Sequence, residues 1–356
     1  MVGVFTLGGT IAMTSDAGSG TGVIPRLQAA DLLAAVPGLE ASGIDLEVCD
    51  VRQLPGASLG LGDVAALTRK IQDRVAAGTI TGAVVTQGTD TIEETSWLLD
   101  LLWTPDAPVV VTGAMRNPAM AGADGPANLL AAVQVAAAAS AHGLGVLVVI
   151  AEQVHAAAEV RKAHSTSVTA FVSPNAGPVG QVAEGVVTLW RRPARPWLPP
   201  GVRARAMDSI EEPQVAVVPM TLGQDDVVLR AVGERVDGLV VAAFGVGHVP
   251  ERLVDALTDL AGRIPVVLAS RTGAGPVGAK TYAFAGSETD LLARGLIRSG
   301  YLDAYKARIL LHVLLAGRAD TEQIQRAFAE LGGYAGQAAG AGAAGRLRRP
   351  GMPGPG

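Results

Sequence analysis

Apolar and polar positions follow two rhythms along the first half of this chain. Short apolar runs at residues 2–6, 45–52, 82–86, 108–112 and 145–151 have the length and β-branched content of buried strands. Between them, Gln28–Val36, Asp63–Ala77, Glu93–Trp103 and Ala127–Ala141 return an apolar residue every three or four positions, as amphipathic helices do. Strands alternating with helices predict a mostly parallel sheet covered on both faces, with ligands at the carboxyl ends of its strands. From Trp190 to Pro213 the rhythm stops, and Arg191-Arg192-Pro193-Ala194-Arg195-Pro196 and Pro199-Pro200-Gly201 read as a linker crossing a surface. A smaller alternation then runs through Val215–Pro219, Asp226–Val232, Gly238–Phe244, Glu251–Ala261 and Pro265–Ser270, with helices near Asp290–Arg298, Leu302–Leu315 and Thr321–Leu331.

The expected architecture is therefore α/β with two domains: a larger N-terminal one at 1–189, a linker at 190–212 and a smaller parallel-sheet domain at 213–331. After Leu331 the composition falls to Gly, Ala, Pro and a little Arg, too poor in large apolar residues to offset its ordering entropy, so 332–356 reads as a disordered tail. Over 356 residues, 49% are hydrophobic and 17% charged, enough apolar content for two sizeable cores. A net charge of -5 gives no pull toward nucleic acid or an anionic membrane. No apolar run reaches the roughly 18 residues of a membrane span, and the first strand begins at Val2, which leaves no room for a signal region. The expectation is a cytoplasmic protein. The single cysteine, Cys49, reads as packed core, and histidines 142, 155, 164, 248 and 312 show no metal-ligand spacing, so neither metal nor cofactor is expected.

Two strand-to-helix turns carry candidate chemistry. Thr86-Gln87-Gly88-Thr89-Asp90-Thr91-Ile92-Glu93-Glu94-Thr95 follows Gly82-Ala83-Val84-Val85, and Asp90 three before Glu93 is the spacing of a capped helix start. Free backbone N–H groups and the positive end of a helix dipole favour anions and oxyanions at such a turn. This one also sets a hydroxyl beside a carboxylate, Thr89 and Asp90. The second turn, Thr6-Leu7-Gly8-Gly9-Thr10-Ile11-Ala12, lets the backbone bend sharply at two glycines and leaves the Thr10 hydroxyl at a strand end. Either turn alone also fits a phosphate loop or ordinary turn chemistry.

Together, Gly-Gly-Thr-Ile-Ala and Gly-Thr-Asp-Thr-Ile-Glu-Glu-Thr resemble the two signature motifs of the bacterial-type L-asparaginase family. Val110-Val111-Thr112-Gly113-Ala114-Met115-Arg116 and Ala123-Asp124-Gly125-Pro126-Ala127-Asn128-Leu129 are similar to further family segments. Lys162, in Val160-Arg161-Lys162-Ala163-His164, matches the family's catalytic lysine. Glu288 falls where the family supplies an acid from the second domain, and His248 where many members have asparagine. Read without the resemblance, Arg161 and Lys162 are a solvated basic pair, Glu288 a helix-start carboxylate and His248 a loop histidine.

The resemblance implies hydrolysis of the side-chain amide of L-asparagine to aspartate and ammonia. Such chemistry needs a nucleophile, a base, donors for the tetrahedral oxyanion and an acid for departing ammonia. Thr10, Thr89, Asp90 and Lys162 form the implied catalytic set, with Thr10 as first nucleophile and Thr89 as the partner that positions or activates water. Gly56, Ala57, Ser58, Gly88, Ala114, His248 and Glu288 are the implied substrate-binding positions; Asp90 and Glu288 would hold the α-ammonium group. A homotetramer is implied too, with active sites shared between subunits.

Two positions depart from the family pattern. A loop tyrosine usually bonds the nucleophile, yet every tyrosine here lies beyond residue 280, so either Thr14, Thr21 or Tyr282 takes its place or Thr10 is less well activated. The serine that holds the substrate carboxylate aligns with Gly56, so Gly56→Ser is expected to restore a donor. Asparagine and glutamine differ by one methylene, worth about 1–3 kcal/mol in a pocket, so a broader asparaginase/glutaminase stays open. A non-catalytic two-lobed binding protein, the related transfer-RNA amidotransferase subunit, which normally carries an extra N-terminal domain, and a dinucleotide enzyme are the other readings. Neither turn spells the dinucleotide fingerprint.

Overall fold

The structure is a computed structural model that describes residues 1–9 and 36–335, together with the backbone of two short strands at Met13–Ser15 and Val23–Pro25. Thr10, Thr21, the side chain of Thr14, the segment Gln28–Val36 up to residue 35, and the tail from residue 336 lie outside the described residues.

Each apolar run of the first half forms a strand. In chain order these are β1 (Val2–Thr6), β4 (Leu46–Asp50), β5 (Gly82–Thr86), β6 (Val109–Thr112) and β7 (Val146–Ile150), with an antiparallel pair outside the expected runs, β2 (Met13–Ser15) and β3 (Val23–Pro25), between β1 and β4. Strands β4, β1, β5, β6 and β7 lie side by side and parallel, as an αβ alternation demands. Three antiparallel strands extend the sheet beyond β7: β8 (Gln153–Ala156), β11 (Gly180–Ala183) and β12 (Val186–Leu189). Between them, β9 (Arg161–Lys162) and β10 (Phe171–Val172) make a small separate pair. The hydrophobic pattern does not announce this extension, because its outermost strands alternate less with more exposed residues over only four positions.

The register lines up the strand ends. Thr6 stands opposite both Asp50 and Thr86, and Thr86 opposite Thr112. The chain therefore leaves β1, β4, β5 and β6 at one level, and the turns that follow share one edge. Helices α1 (Leu61–Ala76), α2 (Ile92–Leu102) and α3 (Gly125–Ala137) are the crossovers. Cys49 sits on the edge strand β4 and is half-buried rather than enclosed in the core.

The segment expected to cross a surface is instead packed. It contains α4 (Val202–Ser209), whose Val202 and Ala206 are fully buried, and several of its arginines are satisfied by backbone oxygens. Arg203 Nε donates to Leu101 O at 2.7 Å, Arg205 Nε to Gly317 O at 2.7 Å, and Arg195 to Trp103 O and Pro105 O. A run of Pro and Arg that looks solvated in sequence is thus a clamp on helix ends, where carbonyls lack intrahelical partners.

The second domain has an all-parallel sheet in the order β13 (Val215–Pro219), β14 (Gly238–Ala243), β15 (Val266–Ser270) and β16 (Ile297–Arg298). Around it lie α5 (Val227–Gly233), α6 (Val254–Ala261), α7 (Glu288–Ala293), α8 (Ala304–Ala316) and α9 (Thr321–Leu331). The helix expected over Asp290–Arg298 stops at Ala293; Gly295 turns the chain with φ 97°, and Ile297 enters the sheet against Val267. The core does not respect the domain division. Trp97, Leu98 and Leu101 of α2 belong to one buried cluster with Ile309, Leu310 and Val313 of α8 across the domain interface. Each large apolar side chain removed from water there contributes on the order of 1.5–3 kcal/mol.

Candidate active site

Three turns converge at the sheet edge because glycines let their backbones touch. Gly8 and Gly9 have φ 97° and 88°, and a Cβ on Gly9 would overlap the backbone of Gly88. A Cβ on Gly56 would lie 2.9 Å from Gly88 O, and one on Gly88 2.8 Å from Gly56 N. Gly113, after β6, is as close: its Cβ would come 2.6 Å from Gln87 O and 3.2 Å from Thr89 Cγ2. The expectation that Gly56→Ser restores a donor is corrected by this packing, since the added side chain meets backbone before it reaches any pocket. Gly56 is buried, whereas Ala57 and Ser58, in the same short turn, are exposed.

Thr89 begins a single helical turn, Thr89–Thr91, that leads into α2, and is 6% exposed. Its hydroxyl accepts from Lys162 Nζ at 2.9 Å; the same amine donates to Asp90 Oδ1 at 2.9 Å. Asp90 is not the helix cap its spacing predicts. Thr91 occupies the N-cap without a side-chain capping bond, and its hydroxyl donates to Gly56 O at 3.1 Å. Asp90 is thereby free to face outward, with 66% of its side chain exposed, while Lys162 keeps only 15%. Lys162 is thus a part-buried, doubly bonded amine, and the solvated basic pair is corrected.

Residues not singled out from the sequence hold this group. Gln87, fully buried, donates through Nε2 to Gly88 O at 3.2 Å and to the hydroxyls of Thr91 and Thr95. Glu93 Oε2 accepts from Lys162 N at 3.3 Å and so fixes the backbone that carries the amine. Apolar periodicity on α2 could not reveal this, because the contact joins residues 69 apart. The Ala-Asp-Gly-Pro segment proves to be a brace: Asp124 accepts from Met115 N and Arg116 N at 3.0 and 2.9 Å, and Asn128 donates to Gly113 O at 3.0 Å while accepting from Ala151 N at 2.9 Å. Together they hold Ala114, which is fully buried, beside the Thr89 turn.

A second cluster forms in the other domain. Glu288 opens α7, is fully buried, and accepts from Thr281 N and Tyr282 N at 2.9 Å each, with His248 Nε2 3.2 Å from its other oxygen. Burial works to raise its carboxyl, but the two backbone N–H groups and His248 outweigh it and hold the acid below the usual carboxylate range. The rings of Tyr282 and Phe284 stand edge-on to His248 at 4.8 and 5.0 Å. Glu288 is therefore a helix-start carboxylate, as its local sequence reads, and also a buried anion. Among the described residues, no hydrogen bond or ion pair joins this cluster to Thr89, Asp90 or Lys162 within one chain. No helix among them is long and apolar enough to cross a membrane.

Residues 1–195 match the family described as "Asparaginase, N-terminal", and residues 214–328 match "Glutaminase/Asparaginase C-terminal domain". A probable L-asparaginase of Deinococcus radiodurans is 36% identical over 340 residues, covering 91% of this chain and 95% of that protein. L-asparaginase 2 of Escherichia coli is 33% identical over 331 residues, covering 91% of each. The crystal structure of a probable cytoplasmic L-asparaginase from Campylobacter jejuni superposes with a TM-score of 0.80 at 30% identity, over 92% of this chain and 98% of that one. With both domains matched and the identity sustained over nine-tenths of its length, this chain belongs to the bacterial-type L-asparaginase family.

Proposed function

We propose that this protein hydrolyses the side-chain amide of L-asparagine to L-aspartate and ammonia through a threonine nucleophile. The observation that carries the reading is the Lys162 amine, 2.9 Å from both the Thr89 hydroxyl and the Asp90 carboxylate. A hydroxyl is a weak nucleophile until a base takes its proton, and a lysine set against a carboxylate is a route for that proton. In the first half-reaction a threonine oxygen attacks the amide carbon, the C–N bond breaks, and ammonia leaves with a proton relayed to it. Water then attacks the resulting ester, releasing aspartate and restoring the hydroxyl. The backbone N–H groups of the Gly88–Thr89 turn, ahead of α2, are proposed as the donors that stabilise the oxyanion in both steps.

Thr10 is proposed as the nucleophile and Thr89 as the group that activates water. The Lys162 contact favours a second assignment, in which Thr89 itself attacks. Quenching the enzyme with acid during turnover and mapping the acylated peptide separates the two, since the ester lies either on residues near Thr10 or on residues near Thr89. Thr10→Ala and Thr89→Val are each expected to reduce kcat at least about a hundredfold with an intact fold. Ammonia release measured across L-asparagine, L-glutamine and their D-forms tests the substrate; a protein that binds L-asparagine and releases no ammonia would be the binding protein instead.

Asp90 and Glu288 are proposed to hold the substrate's α-ammonium, Glu288 being supplied by a neighbouring subunit of a homotetramer. In support, its carboxyl is held below the usual carboxylate range, and among the described residues no hydrogen bond or ion pair joins it to the Thr89 group of its own chain. Gly56, Ala57, Ser58, Ala114 and His248 complete the proposed substrate-binding set. A cytoplasmic location is proposed on the likeness to the Campylobacter jejuni protein. The domain limits 1–189 and 213–331 are proposed as drawn from the sequence.

A further inference from the structure

Lys306 is a lysine where a helix would ordinarily present an apolar side chain. It lies on α8 of the second domain, is 2% exposed, and its amine donates to Glu93 O at 3.2 Å. The return contact runs from Trp97 Nε1, itself buried, to Lys306 O at 3.1 Å. These two bonds tie the first two turns of α2 to the first turn of α8 across the domain interface. Glu93 is also the residue whose carboxylate accepts from Lys162 N. A continuous path therefore leads from Lys306 through Glu93 to the amine that bonds Thr89.

The charges around Lys306 explain why it is tolerated. Glu93 and Glu94 face it from α2, Asp303 from the cap of its own helix, Arg161 from β9, and Arg308 stands 3.9 Å from Glu94. Burial pushes the carboxyls of Glu93 and Glu94 up, while the Lys306 charge pulls both down. A buried cation is costly unless paired, so packing alone does not account for it.

We propose that Lys306 is a positioning residue: from the second domain of the same chain it holds Glu93 in place, and through Glu93 the Lys162 amine beside Thr89. This rests on the reading of Lys162 and Thr89 as active groups. Glu93→Ala removes the carboxylate that accepts from Lys162 N and keeps the backbone oxygen that accepts from Lys306, which makes the dependence measurable as non-additivity.

The experiment compares Lys306→Met in the wild-type and Glu93→Ala backgrounds by kcat and KM for L-asparagine and by Tm. A displaced catalytic amine is expected to lower kcat about tenfold, with KM changed less than about twofold, in the wild-type background. In the Glu93→Ala background, where the link to Lys162 is already broken, the same substitution is expected to change kcat less than about twofold. An unchanged kcat in the wild-type background, an effect on KM alone, or the same loss in both backgrounds overturns the proposal, the last being what a structural role gives. Should Lys306→Met not fold, Lys306→Gln is read by the same criteria. Lys162→Met separates the two levels: if it keeps wild-type kcat, the reading of the active groups fails and the proposal with it. An inactive Lys162→Met beside a fully active Lys306→Met removes the proposal alone.

Discussion

Lys162 gains its chemistry from two bonds that a free lysine would not keep. Held between the Thr89 hydroxyl and Asp90, and shielded to 15% exposure, it has lost the rotamer freedom that usually makes a lysine contact weak. Lys162→Met removes the amine while leaving the apolar stem to pack, so kcat is expected to fall by at least about a hundredfold, the range for loss of general acid–base help. Steady-state ammonia release checks this, and retention of more than a tenth of kcat would take Lys162 out of the proton route. Gly56 answers to a different constraint. With Gly88 O 2.9 Å from where its Cβ would sit, Gly56→Ser overpacks two backbones and is expected to cost roughly 1–3 kcal/mol, lowering Tm without lowering KM. A lower KM at unchanged Tm would show that the turn can open to admit the hydroxyl.

At the scale of elements, α2 is the part on which the site depends. The short turn leading into it carries Thr89 and Asp90, its own first turn carries Glu93, its middle is buried against α8, and its end is clamped by Arg195 and Arg203. Asp100, near that end, accepts from Val146 N at 2.9 Å and ties α2 to β7. Burial raises its carboxyl to about 7, against the pull of Val146 N–H, Arg195 and Arg203. The sign follows: between about pH 4 and 7 the unfolded chain has released this proton and the folded chain retains it, so stability falls as pH rises. Each unit is worth about 1.4 kcal/mol. Asp100→Asn keeps an oxygen for Val146 N and cannot ionise. It is expected to flatten Tm against pH over that window and to exceed wild type in Tm above pH 7. An unaltered pH profile would mean that Asp100 titrates at its ordinary value.

For the whole molecule, the question is where Glu288 acts. Thr89, Asp90 and Lys162 belong to the large sheet's carboxyl edge, and the Glu288–His248 pair to the small domain. A two-fold interface exchanges the same contribution in both directions, so a subunit that lends its Glu288 receives one in return. If Thr10→Ala and Glu288→Ala are each inactive and are then co-expressed, one site of a mixed dimer carries both lesions and the other neither. Activity approaching half of wild type per mixed dimer is expected. Verified mixed oligomers that stay inactive would return Glu288 to the site of its own chain.

The chain's local pattern is enough to determine the strands at 2–6, 82–86 and 215–219, because an apolar run bounded by turn residues writes its own limits. It also determines the Thr89–Asp90 pair and singles out Lys162 and Glu288 by their resemblance to known motifs. The antiparallel strands β8, β11 and β12 escaped it, being only four residues long each. So did the packed arginine clamp and the start of α2, where Thr91 rather than Asp90 is the N-cap. What only the tertiary structure decided is contact between distant positions: Lys162 with Asp90 across 72 residues, Lys306 with Glu93 across 213, and Gly9, Gly56 and Gly88 packed backbone to backbone. Periodicity is a property of neighbours along the chain. Whether a lysine is buried, or a glycine indispensable, depends on what every intervening element brings to it.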